Sequence, residues 1–201
     1  MNNLITIDQL EEMISGATDR MIEDFYNPIC QTLEKYQINT RKRIAGFIAQ
    51  ISHESGSLHF TEEIWGPTQQ QLRYDDPESR LCKELGNDKS EAFFIANLND
   101  SLVGKFYKGH GLIQITGYSN HKAVGKALKI DCVHSPRMLC LPEYAALSAG
   151  WFWTTHLYNG LNCNKLMDDD LFSETTRIIN GGLSGNTHRL KFYRHNLEII
   201  F

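Results

Sequence analysis

Apolar positions over the first quarter of the chain recur at intervals of three and four, the mark of helices with one buried face. Thr6-Ile7-Asp8-Gln9 has the form of a capping box, and it opens a helix through Leu10, Met13 and Ile14 that Gly16 ends or interrupts. A second pattern runs from about residue 18 through Ile22, Phe25, Tyr26, Ile29 and Leu33 to Tyr36, with Pro28 as a kink or restart. A third spans about 40 to 55, where Ile44, Phe47, Ile48 and Ile51 share a face. From Gly56 to Gly111 the periodicity weakens. "GPTQQQLRYDDPESRLCKELGNDKS" is polar and broken by Pro67, Pro77 and Gly86, predicting loops and short helices, and "SEAFFIANLN" adds one more short helix. "VGKFYKGHGLIQITGYSNH" reads as a glycine-punctuated loop or short strand pair around 112–115. Helical patterns return over 121–129, 142–158 and 171–179, and again from His188. No repeat, low-complexity tract or linker divides the chain. The reading is one mainly helical domain over 1–201, with the helices of 1–39 packed on the remainder and no separate wall-binding module. Its long irregular middle is of the kind that usually carries function.

One position departs from the pattern. At 100° per residue, Glu54 lies within roughly 20° of Phe47, so a carboxylate points the way the core residues point. Two further acids, Glu62 and Glu63, follow Gly56. Were the helix to continue straight, Glu63 would lie about 13.5 Å further along and roughly 180° around from Glu54. Gly56 is where the chain can turn and bring the acids together. An acid turned inward has its charged form penalised and can hold a proton for donation, while a more exposed carboxylate stays ionised and can activate water. Such pairs are the working parts of glycosidases. Spacing alone favours a plainer reading, with Glu54 a salt-bridged or exposed helix-end residue and Glu62–Glu63 a solvated loop.

Composition narrows the classes. Over 201 residues, 41% are hydrophobic and 22% charged, an ordinary globular balance, and the net charge of -4 offers no general attraction to nucleic acid or anionic membrane. "MNNLITIDQLEEMI" lacks the basic start and apolar run of a secretory signal, and no stretch reaches the ~18 apolar residues of a membrane span. Synthesis in the cytoplasm without stable membrane insertion is the expectation. Cys30, Cys82, Cys132, Cys140 and Cys163 form an odd set with no C-x-x-C pair, and are read as reduced, mostly structural thiols. His53 and His59 flank Glu54, but Ser57 stands where H-E-x-x-H needs its second histidine, so His53 reads as a packing or hydrogen-bonding residue. "SHESG" is not a nucleophile elbow, and "GKFYKGHG" lacks the phosphate-loop order. Neither metal nor cofactor is expected. Trp65, Tyr74, Tyr118, Trp151 and Trp153 are able to stack on sugar faces, although Trp151, beside Leu147 and Phe152, fits a core better.

Three segments then act together. "FIAQISHESGSL", "GHGLIQITGYSNH" and "TRIINGGLSGNTHRLKFYR" resemble, in order, the three signature blocks of family 19 glycoside hydrolases, the family of plant-type chitinases and many phage endolysins. The resemblance runs from about residue 40 to the end, and the preceding region is similar to the helical N-terminal part of compact phage members. It implies a lysozyme-like, mainly α-helical, two-lobed fold with a substrate cleft and a small loop or β-hairpin region. It makes Glu54 the general acid and Glu63 the general base, with Glu62 as the alternative register. The reaction it implies is inverting, which fits carboxyls roughly 6.5–9.5 Å apart with a water between them. Thr116 matches a hydroxyl that helps hold the water. Gln114 and Asn120 match sugar-contacting positions, and Asn180 and Arg189 polar cleft residues, the arginine orienting the base; Trp65 and Tyr118 are the candidate aromatic contacts. Gln114 and Asn180 also suit the capping of turns.

The match has departures. Gly109-His110-Gly111 stands where the family commonly has G-R-G, replacing a permanent cation by a titratable group. "EEIWGPT" stands where many phage members have a sequence like "ENLNYS", and the large loops and cysteine pattern of plant chitinases are missing. The expectation is a monomeric phage-type endolysin, released with the help of a holin, that cleaves β-1,4 bonds in peptidoglycan glycan strands in a Gram-negative periplasm. The alternatives are a chitinase acting on chitooligosaccharides, a wall-cleaving antagonism effector, and a catalytically silent glycan-binding protein.

Overall fold

Threonine side chains set where the first helices begin. In the computed structural model, which describes residues 4–200, Thr6, Thr18 and Thr40 each accept a hydrogen bond from the backbone N–H three residues on, opening α1 (Ile7–Met13), α2 (Asp19–Lys35) and α3 (Arg41–Glu54). The capping box at Thr6 and Gln9 is complete in both directions. Pro28 neither kinks the chain into two helices nor restarts it: α2 continues through it, and the Thr32 hydroxyl donates to the Pro28 carbonyl at 2.9 Å.

The middle of the chain is less irregular than its pattern suggests. It holds α4 (Gln69–Leu72), α5 (Arg80–Leu85), α6 (Ser90–Leu98) and α7 (Val103–Phe106), the last lying in a stretch expected to be loop or strand. The expected strand pair is reduced to isolated antiparallel bridges, Glu62 with His110 and His110 with Ile115. Beyond them come α8 (Tyr118–Leu128), a 3₁₀ turn (Pro136–Cys140), α9 (Pro142–Thr155), α10 (Cys163–Asp168), α11 (Phe172–Asn180) and α12 (Asn186–Ile199). The 3₁₀ turn and α10 escape periodicity because neither completes two turns.

α3 is the buried axis of the larger core, with every residue from 44 to 52 buried, and it packs along α12. The N-terminal helices belong to the same core: Ile5, Leu10, Met13 and Ile14 are buried with Phe47, Ile48 and Trp153. α2 lies against α9 at a distance only glycine permits, since a Cβ at Gly150 would stand 2.3 Å from the Tyr36 ring and 2.5 Å from the Thr32 methyl. Phe47 meets Trp153 edge to face at 5.5 Å, and Trp151 packs partly buried on the outside of this core. A second, smaller cluster of Ala92, Ala96, Val103, Tyr107 and Tyr118 is formed by the middle segments and the start of α8. All five cysteines are free thiols, and four are buried.

Candidate active site

Glu54 is the last residue of α3, and the chain turns immediately after it, with Gly56 at φ +57°. Its Oε1 is ion-paired with Arg189 of α12, a guanidinium only 2% exposed, while the Glu54 side chain keeps 18% of its surface open. The other arm of Arg189 donates to Gln50 Oε1 at 2.6 Å. Gln50, one helical turn before Glu54 and fully buried, donates in turn to the hydroxyls of Thr175 and Thr176, each at 2.9 Å. A buried polar chain from α11 through α3 and α12 thus ends on Glu54. This corrects the sequence reading of Arg189: it is a buried support for Glu54, and neither orients Glu63 nor offers itself to a substrate. Gln50 was overlooked, although its i, i+4 relation to Glu54 placed both on one face. Close approach of α12 is again a glycine matter, because a Cβ at Gly185 would meet His53 Nε2 at 2.5 Å. His53 Nδ1 lies 2.9 Å from His188 Nδ1, and burial, with Arg189 and His188 beside it, lowers its pKa to about 4, so it serves as a neutral hydrogen-bonding residue.

The second and third acids sit on a narrow ribbon. Glu63 N–H donates to the Gly109 carbonyl and Gly111 N–H to the Thr61 carbonyl, both at 2.8 Å, while His110 and Ile115 exchange bonds of 3.1 and 2.8 Å. Directly opposed residues share a face and their neighbours take the other. Glu62, His110 and Ile115 therefore point one way, and Glu63 the opposite way.

On the Glu63 face every contact to the carboxylate is neutral. Gly109 N–H donates to Oε2 and the Gln71 amide to Oε1, each at 2.8 Å. Gly109 leaves the space that Gln114 fills, since a Cβ there would lie 2.6 Å from Gln114 Oε1. Gln114, at φ +56°, bonds the Gly111 carbonyl at 3.0 Å, so it does cap a turn. The Thr116 hydroxyl donates to the Gln114 carbonyl at 2.9 Å, and Asn120 to the Thr116 carbonyl at 2.8 Å. Trp65 is partly buried, its ring 6.2 Å from that of Tyr74.

On the other face Glu62 bridges two cations, Lys108 at 2.9 Å and Arg137 at 3.0 Å. Burial opposes its charge, but Lys108 and Arg137 prevail and hold its carboxyl below the usual range. Lys105, Lys108 and Arg137 border a cavity of about 340 Å³ there, together with the acids Glu62 and Asp100 and with His110. His110 is not the titratable substitute for arginine that its position suggested. It is 1% exposed, and burial lowers its pKa to about 4. Its Nδ1 is 3.1 Å from His121 Nε2, and His121 Nδ1 is 2.8 Å from the Gly117 carbonyl. A carbonyl only accepts, so His121 carries its proton on Nδ1 and His110 donates to its Nε2.

One further expectation parts from the structure. Tyr118 is 1% exposed in the smaller core, its hydroxyl engaged by Glu91 and Lys122, and it offers no face to a sugar. Asn180 stands exposed at the end of α11, before the left-handed Gly181 at φ 72°, a placement compatible with both of its expected roles. Among the described residues no cluster of three or more His, Cys, Asp or Glu is arranged to hold a metal ion, and no helix is long and apolar enough to cross a membrane.

Residues 31–199 match the family model "Chitinase class I" of glycoside hydrolase family 19. The chain is 30% identical over 184 residues to a glycosyl hydrolase family 19 domain-containing protein of Haemophilus influenzae, covering 86% of this chain and 88% of that one. It is 35% identical over 154 residues to an endochitinase of Arabidopsis thaliana, covering 76% of this chain but 44% of the plant protein, so it spans less than half of that relative's length. Two solved structures share its fold. Chitinase C from Streptomyces griseus superposes with a TM-score of 0.71 at 21% identity, over all of this chain and 78% of the other. A bacterial family 19 chitinase gives 0.70 at 23% identity, over 98% and 95%. The mainly helical, lysozyme-like architecture is common to all three.

Proposed function

This chain belongs to glycoside hydrolase family 19, and on that premise we propose that it is an endolysin-type lysozyme that cleaves β-1,4 bonds of peptidoglycan with inversion. Hydrolysis of a glycan comes with the family. The observation that singles out Glu54 and Glu63 as the working pair is the contrast among the three acids. Glu54 is held by a buried arginine, Glu63 by two neutral donors, and Glu62 is neutralised by two cations.

In this reading Glu54 is the general acid. With Oε1 held by Arg189, Oε2 gives its proton to the glycosidic oxygen as the bond to the anomeric carbon breaks. Glu63 is the general base and takes a proton from the water that attacks that carbon from the opposite face. Thr116 spends its own proton on the Gln114 carbonyl, so it meets the water as an acceptor. One water hydrogen then goes to Thr116 and the other to Glu63, which leaves a lone pair free for the attack. Gln114 and Asn120 supply neutral amides for N-acetyl and hydroxyl groups, and Trp65 an apolar wall.

Peptidoglycan over chitin is supported by a small excess of positive charge on this border, where Lys105, Lys108 and Arg137 stand against Glu62 and Asp100. Chitin is uncharged, whereas the peptides of peptidoglycan carry carboxylates that such cations attract. The chitinase reading is favoured by the plant endochitinase relatives. The test is product analysis of wild type and Glu54→Gln on purified Gram-negative peptidoglycan and on chitohexaose. Muropeptides with new reducing ends, from wild type only, support the lysozyme. Chitin fragments alone make the enzyme a chitinase, and no product from either substrate supports a binding protein. Synthesis in a phage-infected cytoplasm, with release to the periplasm through a holin, belongs to the same proposal.

A further inference from the structure

We infer that Gln71 is the positioning residue of the base: its side-chain amide fixes the orientation of Glu63 toward the attacking water. The inference rests on Glu63 being the general base.

A primary amide has two N–H donors and two acceptor sites on its oxygen. All four are used in Gln71, which is 4% exposed. Nε2 donates to Glu63 Oε1 and to the Ile64 carbonyl, both at 2.8 Å. Oε1 accepts from Gly66 N–H at 3.2 Å and Thr68 N–H at 2.7 Å. Backbone N–H groups only donate, so they decide which way round the amide lies. A flip would set its donors against those two donors and its oxygen against the Glu63 carboxylate. The backbone N–H of Gln71 is itself bonded to Thr68 Oγ1 at 3.2 Å, completing a capping box at the start of α4. One buried side chain therefore closes residues 64–71 on themselves and passes that rigidity to Glu63.

Glu63 is gripped at both oxygens by separate segments, Gln71 on one and Gly109 on the other. Each oxygen retains a second acceptor site for a water. Donors to a carboxylate favour its charged form, and neutral donors do so without supplying a counter-charge. Glu62, with Lys108 and Arg137 on it, is the opposite case. Tyr74, 8% exposed, lies close enough to feel Glu63: burial, and then the Glu63 charge, push its hydroxyl up to about 12. Gln71 thus gives Glu63 a fixed direction and a hydrogen bond that leaves its charge intact.

The experiment compares kcat, KM and the acid limb across pH, on whichever glycan the enzyme cleaves, for wild type, Gln71→Met, Gln71→Glu, Thr68→Val and Glu63→Gln. Gln71→Met keeps length but removes the donors; we expect kcat to fall about ten-fold or more, with KM changing less than about two-fold. Gln71→Glu, nearly the same shape, sets a second acid against Glu63, and like-charge repulsion should move the acid limb up. Thr68→Val loosens the cap without touching the amide contact, and should lower Tm while leaving the limb in place. Should Gln71→Met keep the wild-type kcat while Glu63→Gln is inactive, Gln71 is a structural cap and the inference falls. If Glu63→Gln itself turns over like wild type, the assignment of the base fails instead.

Discussion

Arg189 and Glu54, 135 residues apart in sequence, form an ion pair in which the arginine is almost wholly enclosed and the acid is partly open. The guanidinium stays charged at any pH the protein meets, and its planar fork meets two acceptors at once, Glu54 and Gln50. It aims the carboxyl group, and Gln50, Thr175 and Thr176 extend the network behind it, while the Arg189 Nε has no hydrogen-bond partner among the described residues.

Removing the arginine should therefore cost both stability and turnover. Arg189→Ala leaves Glu54 and Gln50 without their partner and is expected to destabilise the fold by about 3 kcal/mol or more. Arg189→Lys cannot bridge both acceptors and should retain more stability than activity. Urea melts beside kcat measurements check this; an Arg189→Lys enzyme with unimpaired kcat would refute the orienting role.

The three acids should rank in a fixed order. Glu54→Gln and Glu63→Gln are each expected to lower kcat by about 10²-fold or more, the range of general acid–base catalysis. Glu62→Gln should keep most activity, because Glu62 lies on the opposite face of the ribbon. The active enzyme should show a bell-shaped pH–rate profile. If Glu62→Gln is the inactive variant and Glu63→Gln the active one, the base moves by one residue.

Acid should destabilise the fold before the carboxylates titrate. His53 and His110 are lowered to about 4, and His121 to about 3, burial being the main cause each time. All three are neutral in the folded protein near neutral pH, whereas in the unfolded chain they take protons below about 6.5. The unfolded state binds more protons in that window, so this stability is complete above about 6.5 and is lost as pH falls toward 4. Tm should drop between pH 6.5 and 4.5, and the drop should shrink in His110→Gln. A Tm constant over that range would contradict the neutral histidine pair.

The cations beside Glu62 should distinguish the two substrates. Lys105→Ala with Arg137→Ala is expected to lower turnover of peptidoglycan several-fold, and to weaken its salt sensitivity, because exposed charges act through a screened field. Turnover of chitohexaose should not change. Equal loss on both substrates would remove the support these residues lend to peptidoglycan.

Much of the helical frame was legible because local signals agree there. Threonine caps and a three-and-four apolar rhythm place α1, α2 and α3 to within a residue or two, since capping and burial of one face act over a single turn. The polar middle left the bounds of α4 and α5 open and hid α7, because helices of four to six residues complete too few turns to reveal a period. Gln71 had a readable sign, the T-x-x-Q of a capping box at Thr68, but that pattern marks a helix start and says nothing of a carboxylate eight residues earlier.

By itself the sequence determined the helical class, the family-like blocks and the inward aim of Glu54, all properties of residues within one or two turns of each other. Only the tertiary structure decided what each acid meets. Whether Arg189 serves Glu54 or Glu63, which face of the ribbon Glu62 takes, whether His110 is charged and whether Tyr118 reaches a surface all depend on contacts between segments distant along the chain. Burial and partner charges there set orientation and protonation, and these arise only when the helices pack.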